Sequence, residues 1–188
     1  MTAVNSPIRD QSSPTIESPM DLAALRRGDA AAIAECYRRH AGGLLTMLHR
    51  FIGSREDAED IVHDVFVELP RAMAQYQEHG RFDAWLARVA VRRAIDQQRR
   101  RKWFAPLSAV FERSDDGQSI DRDVIALDRA GNALAKLSPS LRQVVVLRIM
   151  LDLTHPEIAK WLGISVQASE VRLHRAIKQL RQQLEHLR

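Results

Sequence analysis

The sequence of 188 residues predicts an all-α fold: two small helical domains joined by a flexible linker. Three observations predict it. Apolar residues recur at helical spacing along most of the chain. Capping residues on one side and glycine or proline on the other divide those stretches into separate helices. Between residues 103 and 132 the pattern gives way to SDDGQS and scattered charge, which reads as a linker.

Composition narrows the class. Apolar content is ordinary for a soluble protein, and no run is long enough to cross a membrane. The first residues lack the charged start and apolar core of a signal peptide, so a cytoplasmic location is expected. The single cysteine, Cys36, excludes an internal disulfide and fits a reducing compartment. A net charge of +4 favours an anionic partner, weakly. No internal repeat and no glycine-rich phosphate loop occurs.

Residues 1–20 hold three prolines, four serines and few large apolar groups, and read as a disordered tail. Residues 21–52 are helical, with Leu22, Leu25, Ile33, Cys36, Leu44, Leu48 and Phe51 apolar and a break or bend expected at Gly42-Gly43. Cys36 and His40 have a metal-ligand spacing, but no second pair supports a site. A buried Cys36 and an exposed His40 are expected, and no metal or other cofactor.

Ser54 opens a helix over residues 55–69, which Pro70 ends or kinks. Asp57, Asp60, Asp64 and Glu68 lie along one side. Ala58, Ile61, Val62, Val65 and Leu69 lie along the other. Early carboxylates suit the helix dipole. Those past the middle are a solvated face or a docking surface for a basic partner; paired-carboxylate catalysis is a third option, but no nucleophile, metal cluster or second acid group lies nearby in sequence. Residues 75–81 form a loop, and a helix follows from Phe82 to about Arg101. Trp85, Val89 and Ala90 look buried, and its far end is strongly basic. Aromatic faces beside a loop and a basic helix are what a single nucleic-acid strand needs. The plainer reading is that Tyr76, Phe82 and Trp85 are core; it is expected for Trp85 and open for Tyr76.

Ser138-Pro139 starts an apolar helix that carries Leu141, Val144, Val145, Leu147 and Ile149. Thr154-His155-Pro156-Glu157 is a capping box for a short helix that Gly163 ends. Ser165 caps a long third helix, with an apolar stripe at Leu173, Ile177, Leu180, Leu184 and Leu187. Two helices joined by a short glycine turn form the helix-turn-helix pattern. The other face of the third helix carries Gln167, Glu170, Arg172, His174, Arg175, Lys178 and Arg181. It is either a DNA-reading surface or an ordinary solvated face.

Three stretches in order, SREDAEDIVHDVFVEL, FDAWLARVAVRRAIDQQRR and LSPSLRQVVVLRIMLDLTHPEIAKWLGIS with EVRLHRA, resemble the extracytoplasmic-function (ECF) group of bacterial sigma-70 factors. The resemblance covers residues 22–187. It implies a sigma region 2 over residues 21–102, a linker over 103–132 and a sigma region 4 over 133–188. It implies core RNA polymerase and promoter DNA as partners, leaves room for an anti-sigma factor, and implies no membrane insertion and no enzymatic activity. By matching position, docking on the polymerase clamp falls to Asp57, Asp60, His63, Asp64 and Phe66. Opening of the −10 element falls to Tyr76, Gln77, His79, Arg81, Arg88, Arg92, Asp96 and Arg99. Reading of the −35 element falls to Arg148, Gln167, Ala168, Glu170, Arg172, His174 and Arg175. The family usually has Gln at His63, often Asn at Arg92, and more commonly Gly-Thr-Val-Lys-Ser than Gln167–Val171. Glu170 either accepts from a cytosine amino group, or pairs with His174 one turn on or is simply solvated.

Two other functions fit parts of the sequence. A helix-turn-helix regulator acting without polymerase would leave the acidic helix and the −10-like helix without a role. A helical enzyme would need a catalytic constellation that the sequence lacks.

Overall fold

The computed structural model describes residues 20–77, 80–104 and 129–185. The expected tail over residues 1–19, most of the linker, His79 and Leu187 lie outside them. The described residues form helices and no strand.

The amino-terminal half consists of α1 (Leu22–Arg27), α2 (Ala30–Ile52), α3 (Arg55–Val67), α4 (Leu69–Met73) and α5 (Phe82–Phe104). Asp21, Asp29 and Ser54 cap α1, α2 and α3, each accepting from the amide three residues on. Gly42-Gly43 does not interrupt α2, which runs unbroken through it. The interruption falls at Gly28 instead, where a φ of 75° ends α1. A paired glycine inside a packed 23-residue helix costs propensity but need not end it, because neighbouring helices hold it. Pro70 enters at the second residue of α4, where its missing amide hydrogen removes no helical bond.

The carboxyl-terminal half holds α6 (Arg129–Ala135), α7 (Pro139–Val145), α8 (His155–Leu162) and α9 (Val166–Glu185). A π-helical turn, Val146–Met150, continues α7. Ser138 precedes α7, but its hydroxyl lies 3.4 Å from that of Ser140 and caps no amide. Glu157 accepts from the Thr154 amide at 2.8 Å and from its hydroxyl at 2.7 Å, which closes the start of α8. Those bonds hold the Glu157 carboxyl below its ordinary pKa.

The apolar run at Leu141–Leu147 has a specific cause. Leu141 and Val145 pack with Leu137 and Ala176 inside the helix-turn-helix half. Val144, Val146 and Leu147 belong instead to the cluster that contains Leu48 and Phe51 of α2. A helix buried on two faces is apolar nearly all round. The two halves therefore pack on one another through α7 and the π turn.

Among the described residues, one charged side chain is buried in this interface. Arg142 is buried, and its Nη2 donates to the carbonyl of Ile52, the last residue of α2, at 2.9 Å. The next residue, Gly53, has a φ of 93°, and a Cβ on it would stand 2.5 Å from Arg142 Nη2. Burial lowers the Arg142 pKa.

These contacts predict opposite outcomes for two glycine substitutions. Gly53→Ala forces a left-handed alanine and displaces Arg142, and should destabilise the chain by at least about 1–2 kcal/mol. Gly42→Ala meets nothing within 4 Å in the middle of a helix. It should stabilise by about 0.5–1 kcal/mol. Urea unfolding of both variants measures the difference.

Candidate nucleic-acid interface and acidic ridge

The basic helix α5 carries charge on two sides, and the sides do different things. One side faces α3. Arg93 Nη2 lies 3.0 Å from Asp64 Oδ2, and Arg93 also pairs with Glu68. Arg101 meets Asp57 through two bonds, at 2.8 and 2.5 Å. Both guanidinium pKa values are raised, chiefly by these carboxylate hydrogen bonds. Three of the four carboxylates on the acidic stripe are thus neutralised within the chain.

What remains open on α3 is narrower than the sequence suggested. Asp60 and His63 are exposed, and among the described residues neither has an ion-pair partner. Asp64 is exposed but held by Arg93, and Asp57 is half-buried under Arg101. Phe66 is buried, its ring edge-on to Tyr37 at 4.9 Å, so it supports the ridge from beneath. Val67, which sequence reasoning passed over, is 64% exposed one turn beyond His63. An apolar residue on the polar side of an amphipathic helix was its signal.

The aromatic residues before α5 form a cluster. Tyr76 lies 4.8 Å from Trp85 and 5.7 Å from Phe82, centroid to centroid, and is 5% exposed. Its face is covered, so of the two readings of Tyr76 this conformation adopts core. Arg26 holds the start of the loop, donating to the Tyr76 carbonyl at 2.6 Å and to that of Met73 at 3.3 Å. Gln77 and Arg81 are exposed, and His79 lies outside the described residues. Trp85 and Val89 are half-buried and Ala90 is fully buried. His40, expected to be exposed, is half-buried against Phe82, with Nδ1 3.5 Å from Asp83. Burial pushes the Cys36 thiol up to about 12, which leaves it an inert core residue.

The other side of α5 presents Arg88, Arg92, Asp96 and Arg99, all exposed and at helical spacing. Three of them reach the carboxyl-terminal half. Arg88 Nη2 donates to the Leu151 carbonyl at 3.4 Å, and Arg99 Nη2 to that of Trp161 at 2.7 Å. The Arg92 guanidinium lies 5.7 Å from the centre of the Trp161 ring. Gln143 of α7 donates to Gln98 at 2.8 Å. The face matched to −10 opening is thus in contact with the end of α8. A cleft of about 710 Å³ opens beside Arg88, bounded by Leu22, Phe82 and Met150.

The helix-turn-helix presents its other face freely. Gln167, Glu170, His174, Arg175 and Lys178 are exposed along α9, Ala168 and Arg172 are half-buried, and Ser169 and Ala176 face inward. The Ser165 hydroxyl accepts from the Ala168 amide at 3.0 Å and fixes the helix start. Glu170 has no ion pair with His174 among the described residues. Arg148 lies 3.3 Å from Asp152, whose φ of 52° follows the π turn, and donates to the Leu153 carbonyl at 3.4 Å. The arrangement offers a basic helix for a DNA groove and an acidic, partly apolar ridge on another helix, and among the described residues brings together no catalytic set.

Comparisons with known proteins agree with this geometry. The family pattern for Sigma-70 region 2 matches residues 36–104, and that for Sigma-70, region 4 matches residues 127–180. The ECF RNA polymerase sigma factor ShbA of Streptomyces griseus subsp. griseus is 32% identical over 144 residues, covering 71% of this chain and 75% of that protein. The ECF RNA polymerase sigma factor SigE of Mycolicibacterium smegmatis is 31% identical over 166 residues. That match covers 84% of this chain and spans 64% of the relative's length. A solved structure of the sigma factor RpoE in complex with the anti-sigma factor NepR from Bartonella quintana superposes with a TM-score of 0.51 at 18% identity. It covers 81% of this chain and 96% of that one, a likeness of fold.

The exposed pairs between α3 and α5 should contribute little stability each. Arg93→Ala is expected to destabilise the chain by about 0.5–1 kcal/mol at low ionic strength. The difference should shrink toward zero in about 1 M salt, where screening acts over ~3 Å. Denaturant melts at the two salt concentrations check this.

Proposed function

Because the chain belongs to the extracytoplasmic-function group of bacterial sigma-70 factors, we propose that it binds core RNA polymerase through the ridge on α3 and directs it to a subset of promoters. The exposed face of α9 reads the −35 element. The loop before α5, with Arg88, Arg92 and Arg99, opens the −10 element. The chain acts by binding and performs no reaction itself.

The observation that carries this reading is the ridge. Asp60, His63, Asp64 and Val67 share one side of α3, with Val67 exposed among polar neighbours. An apolar centre with a charged rim is the anatomy of a protein interface. A lone exposed valine is common on solvated faces, so what supports the reading is its place beside Asp60, His63 and Asp64 on the helix matched to the docking segment.

The packing of the two halves adds a condition. Elements centred at −35 and −10 lie about 25 base pairs apart, roughly 85 Å along B-form DNA. A folded chain of this size is only roughly 40 Å across. The halves must therefore part before both elements are held, and parting frees Arg92 and Arg99 from α8 and Arg88 from Leu151. An anti-sigma factor is a further expected partner, one that would act by preventing this separation or by covering the ridge.

Docking is tested by Asp60→Arg, since among the described residues Asp60 has no ion-pair partner, only a weaker attraction to Arg101. Co-purification with core polymerase should fall at least about tenfold, because charge reversal turns attraction into repulsion at a complementary surface. Binding of −35 DNA by the same variant should not change. Retained co-purification by the folded variant would remove the docking role. Failure of the unaltered chain to support run-off transcription would remove the whole reading.

Promoter opening is tested by Arg92→Ala with Arg99→Ala, followed by permanganate footprinting of −10 thymines. Fewer reactive thymines with normal polymerase binding are expected. Trp161→Ala loosens the same contact from the α8 side without touching α5, and should leave opening intact or improve it. If both variants open promoters equally well, these arginines serve only the contact between the halves.

A further inference from the structure

Inside the helix-turn-helix lies a polar contact that the roles above do not use. Ser169 is fully buried in the first turn of α9, at 0% exposure. Its Oγ lies 2.9 Å from Nδ1 of His155, the first residue of α8. A buried hydroxyl without a partner is costly, so this one is committed to the imidazole.

The position of the pair matters more than its strength. Apolar contact between α8 and α9, through Ile158, Leu173 and their neighbours, holds the helices together but is not directional. The His155–Ser169 bond is directional. Its α8 end is fixed, because the bonds from Thr154 to Glu157 close the backbone around His155. Its α9 end lies between Ala168 and Glu170, with Gln167, Glu170 and His174 on the opposite, exposed side. A helix with its side chains has a radius of about 5–6 Å, so a rotation of about 10° displaces a side-chain tip by about 1 Å. A hydrogen bond to a base edge does not survive that error.

We propose that His155, acting through Ser169, is a positioning residue that sets the rotation of α9 and thereby the sharpness of base discrimination at the −35 element. The proposal rests on the reading of α9 as the −35 reader.

The experiment uses the full chain with core polymerase and a promoter library randomised at −35. The unaltered chain is compared with Ser169→Ala, His155→Phe, the double variant and His155→Asn. Phenylalanine keeps the ring and loses the bond, whereas asparagine places a polar atom near the position of Nδ1. Ser169→Ala and His155→Phe should each flatten the base preference by about 3- to 10-fold, the range one hydrogen bond covers. The double variant should be no worse than either single, since both remove the same bond. His155→Asn should recover most of the preference, and affinity for DNA with a scrambled −35 should be unchanged in all.

Three results overturn the proposal. Unchanged preference in both single variants makes the pair ordinary packing, even if melting temperature falls. Effects that add in the double variant mean the two residues act independently. No −35 preference in the unaltered chain defeats the reading of α9 itself, and the inference falls with it. His155→Asn keeps the question answerable should Ser169→Ala fold poorly.

Discussion

Arg142 occupies the place where the halves meet, and much of the arrangement follows from it. Its guanidinium sits under the carboxyl end of α2, against a glycine with no side chain to obstruct it. A helix carboxyl end carries partial negative charge, so a cation there is favoured. Burial works against it. Nη2 bonds the Ile52 carbonyl, while Nε is buried without a partner among the described residues. A cation so placed adds little net stability compared with an apolar side chain. It adds direction instead: α7 fits at the end of α2 in one register, and Val144 and Leu147 then meet the cluster around Phe51.

From that register the charges of α5 are divided. Arg93 and Arg101 tie α5 to α3 within the amino-terminal half. Arg88, Arg92 and Arg99 turn toward α8 and the π turn. The first set remains paired when the halves part; the second is released by parting. One helix thus holds a permanent structural set and a conditional set of cations, separated by its own periodicity. Sequence could show that α5 is basic, but not which arginines belong to which set.

Legibility followed the range of the interactions. The Thr154–Glu157 box, the Ser54 and Ser165 caps and the glycine turn involve residues three or four apart, and each was readable. So were the amphipathic faces of α2, α3 and α9. The pairs Asp64–Arg93 and Asp57–Arg101 join residues 29 and 44 positions apart, and no local pattern announces them. Arg142 reaches Ile52 across 90 positions, and from sequence alone reads as one more solvated arginine. The unbroken α2 was missed because propensity was allowed to outweigh packing. Tyr76 stayed open because an aromatic before a basic helix suits either a base or a core. The apolar run of α7 was visible, but its cause, burial on two faces, needed both halves.

The energetics of parting follow from which contacts are polar. The bond of Arg99 to α8 lies at the surface, where water replaces it at little cost, and that of Arg88 to the Leu151 carbonyl is long and part-buried. The apolar contact resists. Returning Val144, Val146 and Leu147 to water would cost at most about 5–9 kcal/mol, taking ~1.5–3 for each buried side chain. A partner can shift such an equilibrium only by its difference in affinity for the two states. DNA bound on the exposed face of α9, as proposed, would make no such difference by itself, because that face is already exposed in the packed form. A partner that engages the two halves at separated sites does make one. On the roles proposed above, the packed form leaves the ridge and the exposed face of α9 open while Arg88, Arg92 and Arg99 are engaged by the other half, an order in which docking would precede access to the melted strand.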